Sequence, residues 1–186
     1  MKNKLRNLLP LLALAFSANA GIVVFNDQSV PQAYMVDPAT SAATVIAGGS
    51  TAVAWGAAYN PLTSTLYWNN GSKLMSAAGY TGGALSPTST VTMTFGQSSF
   101  NVTGLAFDTV HTKLIGYRNI TTAGLYEIDV ATGEATLLAE VDGGFGGLDF
   151  DPLTGYLYAT GDGGPGFERG LYRIDDLYVN PVFTLI

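Results

Sequence analysis

The sequence predicts an all-β fold, a row of four-stranded antiparallel units repeated along the chain, and three observations predict it. One phrase occurs three times: Trp55-Gly-Ala-Ala-Tyr-Asn-Pro-Leu-Thr-Ser-Thr-Leu-Tyr67, Thr103-Gly-Leu-Ala-Phe-Asp-Thr-Val-His-Thr-Lys-Leu-Ile115 and Gly146-Gly-Leu-Asp-Phe-Asp-Pro-Leu-Thr-Gly-Tyr-Leu-Tyr158. Its glycines, Gly56, Gly104 and Gly147, are 48 and then 43 residues apart, a spacing typical of strand-built repeats such as β-propeller blades. A second phrase alternates with the first. The composition agrees: 47% hydrophobic, only 12% charged and 23 glycines, against about 25% charged in an ordinary domain. That profile suits many turns and strands buried on both faces.

The first element in order is not part of the fold. Lys2, Lys4 and Arg6 form a basic start, Leu8 to Phe16 is a short apolar run, and Ala18-Asn19-Ala20 offers a small-x-small cleavage site. Those features in that order are a secretory signal peptide. The expected organisation is a signal peptide over 1–20 and a repeat domain over 21–186, exported to an extracellular or periplasmic location. No later run approaches the length of a membrane span, so no stable membrane anchor is expected in this chain. There is no cysteine, so packing rather than disulfides must hold the domain together.

Residues 33–46 come next, as a hairpin of the second type. Tyr34-Met-Val-Asp-Pro-Ala-Thr-Ser-Ala-Ala-Thr-Val-Ile46 matches Tyr126-Glu-Ile-Asp-Val-Ala-Thr-Gly-Glu-Ala-Thr-Leu-Leu138 at an offset of 92. The three copies of the first phrase are hairpins too, each an apolar run, a polar turn and a second apolar run. Asn60, Asp108 and Asp151 open these turns, where a side-chain oxygen accepts from backbone N–H groups further on. Pro61 and Pro152 preset the next φ, and Gly155 suits the positive φ that closes the loop. Ser64 and Thr112 fill that closing position less comfortably. A degenerate second-type copy lies between Lys73 and Met93, stretched by the loop Gly79 to Gly83. The last copy, Leu171-Tyr-Arg-Ile-Asp175, has its turn changed to Asp176-Leu-Tyr-Val-Asn-Pro181.

One hairpin of each type makes a blade of about 46 residues. The expected architecture is therefore a β-propeller-like array of four-stranded antiparallel blades, with about three and a half blades present. The lone hairpin at 33–46 has no closing first-type hairpin after Ile186. Two explanations compete: the chain is part of a longer reading frame, which is favoured, or it pairs its open edges with another copy, because open edges invite association.

The paired phrases Gly-Leu-x-Phe-Asp-Pro-x-Thr-Gly-x-Leu-Tyr and Leu-Tyr-x-Ile-Asp-x-x-Thr-Gly-x-x-Thr resemble the repeats of secreted bacterial β-propeller proteins, many of them functionally uncharacterised. The resemblance runs from about residue 33 onward. It implies a partial or open propeller. Relatives of this general shape include binding modules, lyases and quinone-dependent dehydrogenases, and none of their catalytic signatures maps onto these residues.

Loss of the first twenty residues removes three basic side chains and no acidic one, taking the formal net charge from −6 to −9. An acidic surface argues against nucleic acid and anionic membranes as partners. The candidate site residues are those that depart from the repeat. Asp149 replaces Ala58 and Ala106, and two residues from Asp151 it shares a strand face; carboxylates so grouped can hold Ca²⁺, although Asp151 is also the turn opener. Trp68 stands where Gly116 and Ala159 stand in the other copies, and an exposed ring can stack on a ligand. The glycine-rich stretch Gly161 to Gly170 reads as a loop, with Asp162, Glu168 and Arg169 available to a polar ligand. His111 is the single histidine and reads as an exposed turn residue, so a Ser-His-Asp triad is not expected.

These readings favour a secreted, non-enzymatic binding or interaction module whose partner is a surface polysaccharide or a protein. The alternatives are a propeller-type enzyme (lyase, glycosidase or quinoprotein) with catalytic residues outside this chain, and a structural surface or matrix protein. An enzyme would gather carboxylates or histidines at one ring end; a binding module would show a rim of aromatics and amides.

Overall fold

The computed structural model describes residues 22–25, 32–48 and 54–186; the expected signal peptide lies outside them. None of the described residues is helical, and the strands fall into consecutive antiparallel sheets. Blade 1 has three strands, β1 (Ile22–Phe25), β2 (Ala33–Val36) and β3 (Ala43–Val45). Blade 2 has β4 (Gly56–Asn60), β5 (Thr65–Asn70), β6 (Lys73–Ala77) and β7 (Ser89–Thr92). A small hairpin, β8 (Thr94–Phe95) and β9 (Ser98–Ser99), follows. Blade 3 has β10 (Gly104–Asp108), β11 (Lys113–Arg118), β12 (Gly124–Ile128) and β13 (Ala135–Glu140). Blade 4 has β14 (Phe145–Phe150), β15 (Leu157–Gly164), β16 (Phe167–Asp175) and β17 (Val182–Leu185).

In each of these sheets the strands are hydrogen-bonded in chain order, because every connection is a hairpin. The Asx turns are local and recur. The Oδ1 atoms of Asp37, Asn60, Asp108, Asp129 and Asp151 each accept from the N–H two residues on, at 2.8–2.9 Å. The closing residue is left-handed each time: Ser41 (φ 58°), Ser64 (51°), Thr112 (58°), Gly133 (82°) and Gly155 (73°). Three of these five carry a Cβ in a region that ordinarily favours glycine.

Successive side chains on a strand point to opposite faces, and here each face meets a different neighbour. On β5, Leu66 and Trp68 pack toward blade 1 while Tyr67 packs toward blade 3. On β10, Leu105 and Phe107 belong to the joint with blade 2 and Ala106 to the joint with blade 4. The hydrophobic core is thus three layers between blades rather than one centre, which is why a strand such as β10 is buried at all five positions.

The inner strands β4, β10 and β14 lie side by side, and the repeated glycine serves that approach. A Cβ on Gly56 would lie 2.8 Å from the Leu105 nitrogen and 2.9 Å from the Gly104 carbonyl carbon, both backbone atoms of the next blade. At the equivalent Gly147 a Cβ meets only the Thr160 hydroxyl of its own sheet, at 2.9 Å, which can rotate away. Gly56→Ala should therefore cost about 1–3 kcal/mol, and Gly147→Ala should stay within about 0.5 kcal/mol of the parent. Denaturant melts of the two variants side by side check this; equal losses would mean that the glycine serves each turn and not the joint.

The array matches the expected three and a half blades with three differences. β1 adds a strand to the first hairpin, so blade 1 lacks only its innermost strand among the described residues. The β8–β9 hairpin, invisible in the repeat, reaches blade 3 through the Thr94–Glu134 bridge, and its Phe95 packs on Phe100 and Tyr126. The stretch Gly161 to Gly170 is no loop. It extends β15 and β16 with Gly161 opposite Gly170 and Asp162 opposite Arg169. Its small residues admit the linker before β14: the Gly144 carbonyl accepts from the Asp162 N–H at 3.2 Å, and a Cβ on Gly161 would press on the Gly143 carbonyl at 3.2 Å.

Candidate functional site

Antiparallel hairpins in register put all the turns between first and second strands, and between third and fourth strands, at one end of the array. That end presents a repeated apolar position. Leu62, Val110 and Leu153, two residues after the Asx opener in blades 2, 3 and 4, are 62%, 61% and 93% exposed. Each has its own N–H held by the Asx oxygen, so the turn fixes the side chain outward. Val110 Cγ2 lies 3.6 Å from the point where a Cβ on Gly155 would stand, so the tips of adjacent blades abut. Val130 and Val179, in the outer turns of blades 3 and 4, are exposed at the same end. A single exposed apolar side chain is ordinary, but here the same turn position exposes one in three successive blades.

Beside this row lies a group of interacting titratable side chains. Asp108 is buried, and its Oδ2 accepts from the Tyr178 hydroxyl at 2.7 Å and from His111 Nδ1 at 2.7 Å. A carboxylate only accepts, so Nδ1 carries the proton. Its Oδ1 accepts from the amides of Val110 and His111 at 2.8 and 3.1 Å. The His111 and Tyr178 rings stand 4.6 Å apart, and Lys113 lies over the Tyr178 ring at 5.0 Å while pairing with Glu127. Burial pushes the Asp108 carboxyl up, but the hydrogen bonds from Tyr178, His111 and Val110 outweigh it and hold the group below its ordinary value. Burial, the Asp108 hydrogen bond and the charges of Asp108 and Glu127 all push the Tyr178 phenol well above the usual range. The phenol therefore stays protonated and keeps donating. His111 is exposed in its turn, as its position in the repeat suggests, and its ring is in addition tied to the Asp108 carboxylate. The signal that could have found this is the changed turn Asp176–Pro181, which carries Leu177 into the core and Tyr178 to Asp108.

The other candidates fall elsewhere. Trp68 is 2% exposed and stacks on Phe25 with ring centroids 6.1 Å apart, so its ring packs the joint between blades 1 and 2 instead of facing a ligand. Asp151 is engaged in its turn, accepting from the Leu153 amide at 2.9 Å and the Thr154 hydroxyl at 2.6 Å. Asp149 is exposed and accepts from the Phe150 amide at 2.9 Å; desolvation by the surrounding protein nonetheless raises its carboxyl, against the lowering effect of that amide. Among the described residues no three His, Cys, Asp or Glu side chains are grouped to hold a metal ion, so a Ca²⁺ site at Asp149 and Asp151 has no third carboxylate beside it. Asp162, Glu168 and Arg169 sit at the opposite end from the apolar row. Arg169 Nε donates to the Asp162 carbonyl at 2.8 Å, and the Glu168 backbone is tied to the Tyr172 hydroxyl at 2.8 Å. That end also bears an open groove of about 470 Å³ walled by Asn119, Thr121, Glu140 and Asp142.

No protein-family model matches the chain, and no curated protein matches its sequence. Solved structures do match in shape. A chain of the nidogen/laminin complex superposes with a TM-score of 0.60 at 15% identity, covering 83% of this chain and 58% of that one. A Bacteroides thetaiotaomicron protein of unknown function superposes with a TM-score of 0.59 at 12% identity, covering 89% of this chain and 40% of that one. This chain spans less than two thirds of either. The likeness shows a β-propeller-like fold.

Proposed function

We propose that this chain is a secreted, non-enzymatic interaction module that grips a protein partner with the turn end of its blades. One observation carries the reading: the same turn position exposes Leu62, Val110 and Leu153 in three successive blades. Apolar anchors so placed suit the desolvated centre of a protein interface, whereas a polysaccharide would call for exposed rings and amides in their place. A propeller-shaped neighbour from a protein–protein complex supports the direction and leaves the partner open.

Cross-linking tests the reading and captures the partner in the same step. A photo-cross-linking residue in place of Leu153 should yield an adduct with a second, different protein on the producing cells. Combining Leu62→Ser and Val110→Ser with that probe should abolish the adduct while leaving the thermal melt unchanged. An adduct of undiminished yield in the combined variant would overturn the proposal.

A further inference from the structure

His111 is tied into its turn by a bond that the repeat elsewhere makes without a histidine. In two other turns the residue three after the Asx opener is a threonine whose hydroxyl donates to Oδ2. Thr40 donates to Asp37 at 3.0 Å and Thr154 to Asp151 at 2.6 Å. In blade 3 the same bond runs from His111 Nδ1 to Asp108 Oδ2 at 2.7 Å. An imidazole in that role brings a second ring nitrogen, which a threonine lacks. The two nitrogens point away from each other, so with Nδ1 turned to the carboxylate, Nε2 turns from it. The His111 side chain is 53% exposed, whereas that of Asp108 is 2% exposed. In the neutral ring, with the proton on Nδ1, Nε2 is an acceptor, and it takes no hydrogen bond among the described residues. The ring is also held from the side. Tyr178, from the outer turn of blade 4, stands 4.6 Å from it and donates to the same Oδ2.

We infer that His111 Nε2 selects the partner of the turn end. It favours a protein surface that sets one N–H or O–H donor among apolar side chains, and it disfavours a surface without that donor. This rests on the interaction reading above. His111 follows Val110, the middle member of the apolar row, in a blade whose inner strand has a neighbour on each side. A partner that covers Val110 therefore also takes water from Nε2. An acceptor desolvated without a donor costs free energy, whereas a donor placed against it restores the bond. A site built to hydrogen-bond one group discriminates against its absence more sharply than an apolar contact does. Asp108 and Tyr178 hold the ring beforehand, so little side-chain freedom is left to lose on binding.

The photo-cross-linker at position 153 supplies the readout. His111→Thr keeps a donor for Asp108, the one used in the other turns, and deletes Nε2. At a probe concentration below half-saturation the adduct yield should then fall about tenfold, because the partner's donor is buried without an acceptor. The thermal melt should stay within a few degrees of the parent. His111→Ser repeats the test should the branched side chain disturb the turn. In the free protein, ¹⁵N NMR of the neutral imidazole should show the proton on Nδ1 and none on Nε2. The opposite tautomer, or an undiminished adduct from the folded His111→Thr and His111→Ser proteins, would overturn the inference. If Leu62→Ser with Val110→Ser still abolishes that adduct, the interaction reading survives the loss. A parent chain that gives no adduct at all removes both.

Discussion

Trp68→Ala should destabilise the protein by about 3–5 kcal/mol, a fall in melting temperature on the order of 10 °C for a chain of this size. The ring is 2% exposed at the centre of β5 and is enclosed by Phe25, Ala33, Ile46, Leu66, Ala77, Tyr80 and Leu85. In blade 3 the equivalent residue is Gly116, where an added Cβ would come within 2.7 Å of Val102 and 2.8 Å of Ile128; neighbours already fill the space. In blade 2 they do not. The preceding blade has one strand fewer among the described residues, and one large ring occupies the volume together with the loop residues Tyr80 and Leu85. Truncation leaves a void in this cluster. Chemical denaturation monitored by circular dichroism measures the loss, and a change below about 1 kcal/mol would show that Trp68 does not hold blade 1 to blade 2.

Asp108→Asn should cost about 2–3 kcal/mol at neutral pH, and the cost should shrink in acid. The substitution keeps the Oδ1 acceptor of the Asx turn but puts an NH₂ where Oδ2 takes two hydrogen bonds, from the Tyr178 hydroxyl and His111 Nδ1. The pH dependence follows from the sign of the shift. The Asp108 carboxyl is held below its ordinary value, so the folded state prefers the ionised form. Its contribution is complete above the ordinary carboxylate range of about 4 and is lost as the pH falls through the lower folded value. Asparagine does not titrate, so the gap between the parent and Asp108→Asn should be widest at neutral pH and should narrow in acid. Urea melts at both ends of that range check it; a gap independent of pH would mean that the carboxylate charge is not what holds Tyr178.

Much of the fold is legible in the sequence because it is local. The turns at Asn60, Asp108 and Asp151 can be read from an Asx residue and a closing Ser, Thr or Gly, since the hydrogen bonds from the Asx Oδ1 that shape them span only two or three residues. Strand pairing inside each blade follows from hairpins, most of them with short connections; the link between β6 and β7 is longer. The β8–β9 hairpin is not readable, because its residues match no repeat and its place is set by contact with blade 3. The run from Gly161 to Gly170 misleads for a related reason. Glycine signals a loop when sequence is the only guide, yet here it marks two strands that need room for the Gly143–Gly144 backbone. The candidate site divides in the same way. The Leu62, Val110 and Leu153 row lies in the phrase itself, but only burial distinguishes an outward leucine in a turn from one that folds back. The Asp108–Tyr178 contact joins residues 70 positions apart, and no periodicity announces it.

That this chain is an array of antiparallel blades, and where the repeated Asx turns lie, is written in the amino-acid order, since these depend on hydrogen bonds and φ preferences within a few residues. Which departures from the repeat matter, and for what, is set by packing between blades. Trp68 fills a joint where the blade before it has one strand fewer among the described residues. Asp149 tolerates its charge because it faces an uncovered inner position, and His111 is held because a distant tyrosine buries its aspartate. Those outcomes rest on which faces the stacking of blades covers and which it leaves open, and neighbouring letters in a chain carry no record of that.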